Sequence, residues 1–168
     1  MRAMAMTAAI LGLGLTLAAG PALAQAAAQA APAPMNLFAT SAQMQALIAN
    51  ARKIRPPGQP AFNQRILTLA PYAANLEHRT ATAPPSVHEA HAELFYVVEG
   101  AATLITGGKL VDEKRTNGTN LTGAAIAGGE PRPIAKGDVF LVPQNTPHQI
   151  VDPKGGEVIL ISMHVPRS

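Results

Sequence analysis

Two short segments about fifty residues apart carry imidazoles and carboxylates at spacings that could hold a metal ion. The first is His88-Glu89-Ala90-His91-Ala92-Glu93, which runs directly into the apolar stretch Leu94–Val98. The second is Thr146-Pro147-His148, which follows the apolar stretch Asp138–Val142 and a turn, Pro143-Gln144-Asn145. Nitrogen and carboxylate donors brought in on separate strands, each aimed by a tight turn, can bind one divalent ion. A donor set without sulfur suits Zn²⁺, Mn²⁺, Fe²⁺ or Ni²⁺ and does not choose among them. The chain has no cysteine, which excludes disulfides, thiolate catalysis and thiolate zinc sites. The pair His88 and His91 stands at i and i+3, so it is not the i, i+4 helical pair of a zinc protease. No Ser-His-Asp order, phosphate-binding loop or dinucleotide fingerprint is present, and Gly12-Leu13-Gly14 falls inside the leader described below.

Side-chain alternation on a strand constrains how these donors can meet. Residues two apart share a face, so His91, Glu93, Phe95 and Val97 face one way, with Phe95 and Val97 making the interior partly apolar. His88 and Glu93 differ by five and fall on opposite faces of a straight strand. They converge only if the chain bends within Glu89–Ala92. Asn145 is one of the few residue types that accept positive φ, which suits the tight turn before His148. Tyr72, His78, Arg79, Tyr96 and His164 are further candidates to line the site, as acid–base or substrate-anchoring groups. Glu89 reads as a solvated loop carboxylate.

The elements that must hold these residues begin with a leader. Arg2 is a charged start, Ala8 to Ala19 is apolar, and Ala22-Leu23-Ala24 is a small-x-small cleavage site, so residues 1–24 read as a signal peptide and the mature chain should begin at Gln25. The expectation is an exported protein, periplasmic or secreted, without stable membrane insertion after cleavage. Residues 25–39, rich in Ala, Gln and Pro, read as a disordered tether. Residues 40–168 form one domain. Its helix, over 41–54, can be capped by Thr40 or Ser41, with Gln43 three residues after Thr40 as in a capping box, carries Met44, Leu47, Ile48 and Ala51 on one stripe, and stops at Pro56-Pro57-Gly58. From about residue 62 to 165 short strands alternate with Gly and Pro turns: Ile66–Ala70, Tyr72–Arg79, a hairpin of Leu94–Val98 and Ala101–Thr106 about Glu99-Gly100, then Lys109–Val111, Asp138–Val142, His148–Val151 and Glu157–Val165. Asp112 to Lys136 reads as one long loop, with Asn117-Gly118-Thr119 and Asn120-Leu121-Thr122 matching the glycosylation sequon. The formal charge of +3 falls by one if Arg2 is removed, and four Phe, two Tyr and no Trp offer little stacking surface. Nucleic-acid binding is therefore not expected.

These residues resemble the cupin superfamily. Glu93 and Gly100 fit the second half of the first cupin motif, and His88 with Glu93 fits its histidine–glutamate spacing. Gly137, Pro143 and His148 fit the second motif. The pattern departs at Ser86, where the family has its first histidine, at Asn145, where it has glycine, and at Asp152, where it has asparagine. The resemblance implies a mostly β double-stranded β-helix, or jelly-roll barrel, with one N-terminal helix. It implies a divalent metal held by His88, Glu93 and His148, with His91 either substituting for the missing histidine or facing solvent. It further implies a small-molecule ligand or substrate and a homodimer, for which the apolar end Val158–Val165 could supply a contact. The activity this suggests is isomerase- or lyase-like chemistry on a small polar molecule such as a sugar acid or hydroxy acid. With iron or manganese it becomes dioxygenation, and the alternative is a ligand-binding module without turnover.

Overall fold

The structure, a computed structural model, describes residues 36–166. The expected signal peptide and most of the expected tether lie outside the described residues. The element order is α1 (Ser41–Ile54), β1 (Ala61–Leu69), β2 (Tyr72–Arg79), β3 (Ser86–His88), β4 (His91–Thr106), β5 (Lys109–Val111), β6 (Lys114–Asn117), β7 (Asn120–Thr122), β8 (Ala125–Ala127), β9 (Glu130–Ala135), β10 (Val139–Val142) and β11 (His148–Pro166). Among the described residues no helix is long and apolar enough to cross a membrane.

Helix α1 starts where its cap chemistry dictates. The Thr40 side chain accepts the Gln43 N–H, and Gln43 reaches back to the Thr40 N–H. Its stripe buries Ile48 and Ala51 against Ile66, Leu76 and Ile159, an apolar cluster outside the barrel that fixes α1 to β1, β2 and β11. Preceding it, Asn36 exchanges backbone hydrogen bonds with Thr68 and donates its amide to the Ile66 carbonyl at 2.6 Å, so residues 36–39 lie along β1.

The barrel is an antiparallel jelly roll. Its sheet runs β1-β2-β11-β3-β7-β6, while β4 pairs with β10, β11 and β9. The long strands β4 and β11 lie together from His91↔Pro166 to Thr106↔His148. Phe95, Val97, Ala102, Leu104, Ile134, Val142, Ile150, Val158 and Leu160 fill the interior between the layers. Both apolar halves of β4 face inward, the inward set passing from Glu93, Phe95 and Val97 to Ala102 and Leu104 across the register shift at Gly100, and Phe95 stacks on Phe140 with ring centroids 4.9 Å apart.

Three expectations about connectivity are corrected. Glu99-Gly100 is not a hairpin: Leu94–Val98 and Ala101–Thr106 are one strand, both halves laddered to β11. Gly100 takes φ 80°, and a Cβ there would lie 2.5 Å from the Glu157 carbonyl oxygen, so glycine marks a close strand crossing rather than a reversal. Likewise His148–Val151 and Glu157–Val165 are parts of β11, with Asp152, Gly155 and Gly156 at positive φ where the ladder shifts register. The stretch from Asp112 to Lys136 is not a loop. It contains β6, β7, β8 and β9, and β9 pairs with the outer half of β4. The shortness of β6, β7 and β8, three or four residues each, left no apolar period to read.

Candidate metal centre

His88 ends β3, and the chain bends through Glu89-Ala90 before β4 begins at His91. The bend is held by the Glu89 N–H donating to the Thr119 carbonyl at 2.8 Å. His148 opens β11 after Asn145, which takes φ 58° and donates its N–H to the His88 carbonyl at 2.9 Å. One backbone hydrogen bond therefore joins the two histidine segments directly. Glu93 points inward from β4 beside Phe95 and is buried. The result is a common meeting point: His88 Nε2 and His148 Nε2 lie 3.1 and 3.2 Å from Glu93 Oε2, and His164 Nε2 lies 3.3 Å from Glu93 Oε1.

The far nitrogens of two of these imidazoles are committed. His148 Nδ1 faces the Thr146 backbone carbonyl at 3.1 Å, and His88 Nδ1 faces Asn120 Oδ1 at 2.7 Å. Asn120 is oriented in turn by its amide, which donates to Asn117 Oδ1 at 2.7 Å. A carbonyl oxygen only accepts, so each Nδ1 must carry the proton. In the neutral tautomer each Nε2 then presents a lone pair toward the same carboxylate oxygen. That contact is favourable only if a cation sits between, either a second proton on each ring or a metal ion. Carbonyl partners that fix the tautomer and leave Nε2 free are the outer-shell arrangement of metal-bound histidines. His88, Glu93 and His148 thus fit a divalent ion in donor type, direction and spacing, their ligand atoms lying within 4.8 Å of one another.

Without an ion, the same contacts govern how the cluster holds its protons. Burial alone would raise the Glu93 pKa, but hydrogen bonds from His148, His164 and His88 outweigh it and hold the carboxyl well below the usual carboxylate range. Burial lowers the His88 pKa, and its bonds to Glu93 and Asn120 more than restore it, leaving the ring above the ordinary histidine value. His91 is pushed down to about 4 by burial and by the neighbouring His164 and His88. His91 stacks on His164 at 4.0 Å and on His88 at 4.7 Å between ring centroids, and its buried Nε2 has no hydrogen-bond partner among the described residues.

Four other candidates lie away from this point. Tyr96 alternates with Phe95 and Val97, so it faces outward and is 40% exposed. Tyr72 starts β2 on the outer face beside Leu37, Leu67 and Met163, 51% exposed. His78 is buried on the helix side of β2, bonded at 2.8 Å to Glu157, which also takes Arg52 of α1 at 2.6 Å. Arg79 shares the inner face of β2 with Glu77, and its guanidinium is engaged by that carboxylate at 2.6 Å. Period-2 counting from Leu76, whose side chain joins the helix-side cluster, would have sent His78 outward. Sequence reading underweighted His164 and missed Asn120. His164 was legible as the continuation of the inward set Val158, Leu160, Ser162, whereas Asn120 lay in the supposed loop.

Comparison with known proteins follows from this geometry. The family profile described as Cupin matches residues 43–165. No curated protein matches the chain in sequence. Among solved structures, it is similar to a putative mannose-6-phosphate isomerase from Ralstonia eutropha JMP134, with 21% identity, 67% of this chain and 91% of the other covered, and a TM-score of 0.48. It is similar to KdgF from Halomonas sp., with 20% identity, 68% and 87% covered, and a TM-score of 0.47. It is also similar to the Cnp3 cupin domain of Schizosaccharomyces pombe, with 15% identity, 65% and 66% covered, and a TM-score of 0.49. The chain spans about half the length of the FeII HppE structure, with which it shares 17% identity at a TM-score of 0.49.

Proposed function

The chain belongs to the cupin family, and we propose that it binds one divalent metal ion through His88, Glu93 and His148 and acts on a small polar organic molecule in the mouth of its barrel. The observation that carries this reading is the pair of Nδ1–carbonyl contacts, which turns two Nε2 lone pairs onto one buried carboxylate oxygen. Such an ion, when bound, supplies Lewis-acid polarisation of a carbonyl or hydroxyl oxygen. The protein's part is to hold the donors rigid and exclude bulk water. Phe95 supports His148 edge-on at 6.3 Å, and Phe95, Val97, Leu104 and Leu160 fill the barrel beneath, which leaves the rim beside the half-buried His91 and His164 as the place for a substrate. His91, with its free and weakly basic Nε2 at that rim, is suited to accept a proton or hydrogen bond from a substrate hydroxyl. A small sugar acid or hydroxy acid fits these limits, and redox-neutral isomerisation or elimination is the reading we favour. Two histidines and one carboxylate also form the donor set of iron oxygenases, so oxygen consumption with Fe²⁺ is the competing outcome.

Elemental analysis of protein purified from its native compartment tests the centre. The expected result is close to one ion per chain, lost in His148→Ala. Turnover of a panel of hydroxy and sugar acids should vanish in the same variant. A ligand that raises the melting temperature with no product formed would make the chain a binding module instead.

We further propose that the protein is exported, on the strength of Arg2, the apolar run to Ala19 and Ala22-Leu23-Ala24. N-terminal sequencing of the mature chain should begin at Gln25. A homodimer is supported by a different surface from the one its sequence suggested. Val158, Ile159 and Leu160 are fully buried and unavailable, but the outer faces of β4 and β10 expose Leu94 opposite Leu141 and Tyr96 opposite Val139. Leu141→Asp should halve the measured mass if that face pairs.

A further inference from the structure

We infer that His164 is a fourth ligand of the ion, supplying from β11 the imidazole that Ser86 does not provide on β3. The inference rests on the metal centre proposed above and extends it to a residue outside both histidine segments. Register brings His164 there: it stands directly opposite Glu93 across the β4–β11 ladder, and Val158, Leu160 and Ser162 before it at two-residue spacing all face the interior. Its Nε2 lies 3.3 Å from Glu93 Oε1, the carboxylate oxygen that His88 and His148 leave free.

Contact with Glu93 separates His164 from His91, the other imidazole within reach, whose ligand atom lies within 4.8 Å of those of His88 and His164. His148 stands 5.2 Å from His88 at 48°, and His164 stands 4.9 Å from His88 at 47°. His91 lies nearly parallel to both neighbours, at 23° to His88 and 26° to His164, stacked face to face with them. It also makes no contact with Glu93 within ion-pair distance, whereas the other three rings do.

Four protein ligands change which ion can work. A tetrahedral Zn²⁺ would have all its positions filled, as in a structural site, while a six-coordinate ion such as Mn²⁺, Fe²⁺ or Ni²⁺ keeps two positions for a chelating substrate. The four-ligand centre therefore selects against zinc for catalysis and favours a substrate with two adjacent oxygen donors.

Cobalt(II) provides the test, because a thiolate bound to it gives a sulfur-to-metal charge-transfer band and the native chain has no cysteine to contribute one. The purified protein and its His148→Cys, His164→Cys and His91→Cys variants are titrated with Co²⁺, with circular dichroism to check folding. The expected result is a band in His148→Cys and His164→Cys and none in His91→Cys. His164→Ala should weaken Co²⁺ binding by more than about 100-fold, beyond the 10–100-fold that loss of an outer-shell partner costs. Should the native protein bind no Co²⁺, the metal centre itself falls and this assignment with it. If the native protein binds one equivalent and His148→Cys shows the band but His164→Cys does not, only the fourth ligand is overturned, and a band in His91→Cys would hand the role to that residue. Should His164→Cys fail to fold, an unchanged Co²⁺ affinity in His164→Ala overturns the assignment by itself.

Discussion

Replacing Asn120 with alanine isolates the outer shell of the centre from its ligands. Asn120 Oδ1 is the acceptor that holds the proton on His88 Nδ1 and so keeps His88 Nε2 free. Without it the ring can carry its proton on Nε2 and turn that nitrogen into a donor to Glu93. Loss of such an outer-shell partner costs about 10–100-fold in metal affinity. At an ion concentration about 1,000 times the native Kd, binding stabilises the native fold by about 4.1 kcal/mol. A tenfold loss leaves about 2.7 kcal/mol and a hundredfold loss about 1.4 kcal/mol, by the same relation. The metal-induced rise in melting temperature should therefore shrink by roughly 4–8 °C for a domain of this size, at about 3 °C per kcal/mol. The variant also loses the amide bond to Asn117 Oδ1, so its metal-free melting temperature is subtracted first. Asn120→Asp, which keeps an acceptor, should recover most of the loss. Scanning fluorimetry with a metal titration, cross-checked by calorimetry, reads all three proteins. A folded Asn120→Ala with native metal affinity would show that the tautomer is not set by this residue and would remove the principal physical argument for the centre.

Other perturbations test the frame that carries it. Phe95→Ala removes a fully buried ring stacked on Phe140 and touching His148, and should cost about 3–5 kcal/mol in urea unfolding. Gly100→Ala places a Cβ 2.5 Å from the Glu157 carbonyl at φ 80° and should destabilise by at least the roughly 1–2 kcal/mol of a left-handed residue, where a hairpin turn would have tolerated asparagine. Arg52→Ala breaks the exposed contacts to Glu99 and Glu157 and should cost no more than about 1 kcal/mol after solvent screening. The Arg52 bond holds the Glu157 pKa below its usual value, so this contribution is present at neutral pH and is lost as pH falls through the depressed folded-state value; the native–variant difference in melting temperature should vanish on the acid side and not the alkaline side.

The parts of this molecule that could be read in advance are those where a periodic rule acts on strongly apolar residues. The inward alternation of Glu93, Phe95 and Val97 and the helix stripe of Ile48 and Ala51 follow directly from side-chain geometry. The bend that lets His88 and Glu93 converge was required by their odd spacing, and it stands at Glu89-Ala90. Gly100 misled because glycine at positive φ serves two purposes, and the sequence does not say whether the chain reverses or another backbone passes within 2.5 Å. The segment 112–136 misled for the opposite reason. The strands β7 and β9, three and six residues long, obtain their order from pairing with β3 and β4 rather than from their own composition. That is also why Asn120 was read as a possible glycan acceptor: its role depends on the register His88↔Asn120, a pairing across 32 residues that no local pattern specifies. The candidate ligands His88, Glu93 and His148 could thus be found by spacing. The residue that fixes their protonation could be found only once the strand beside them was in place, and a site of this kind is complete only when both sets are known.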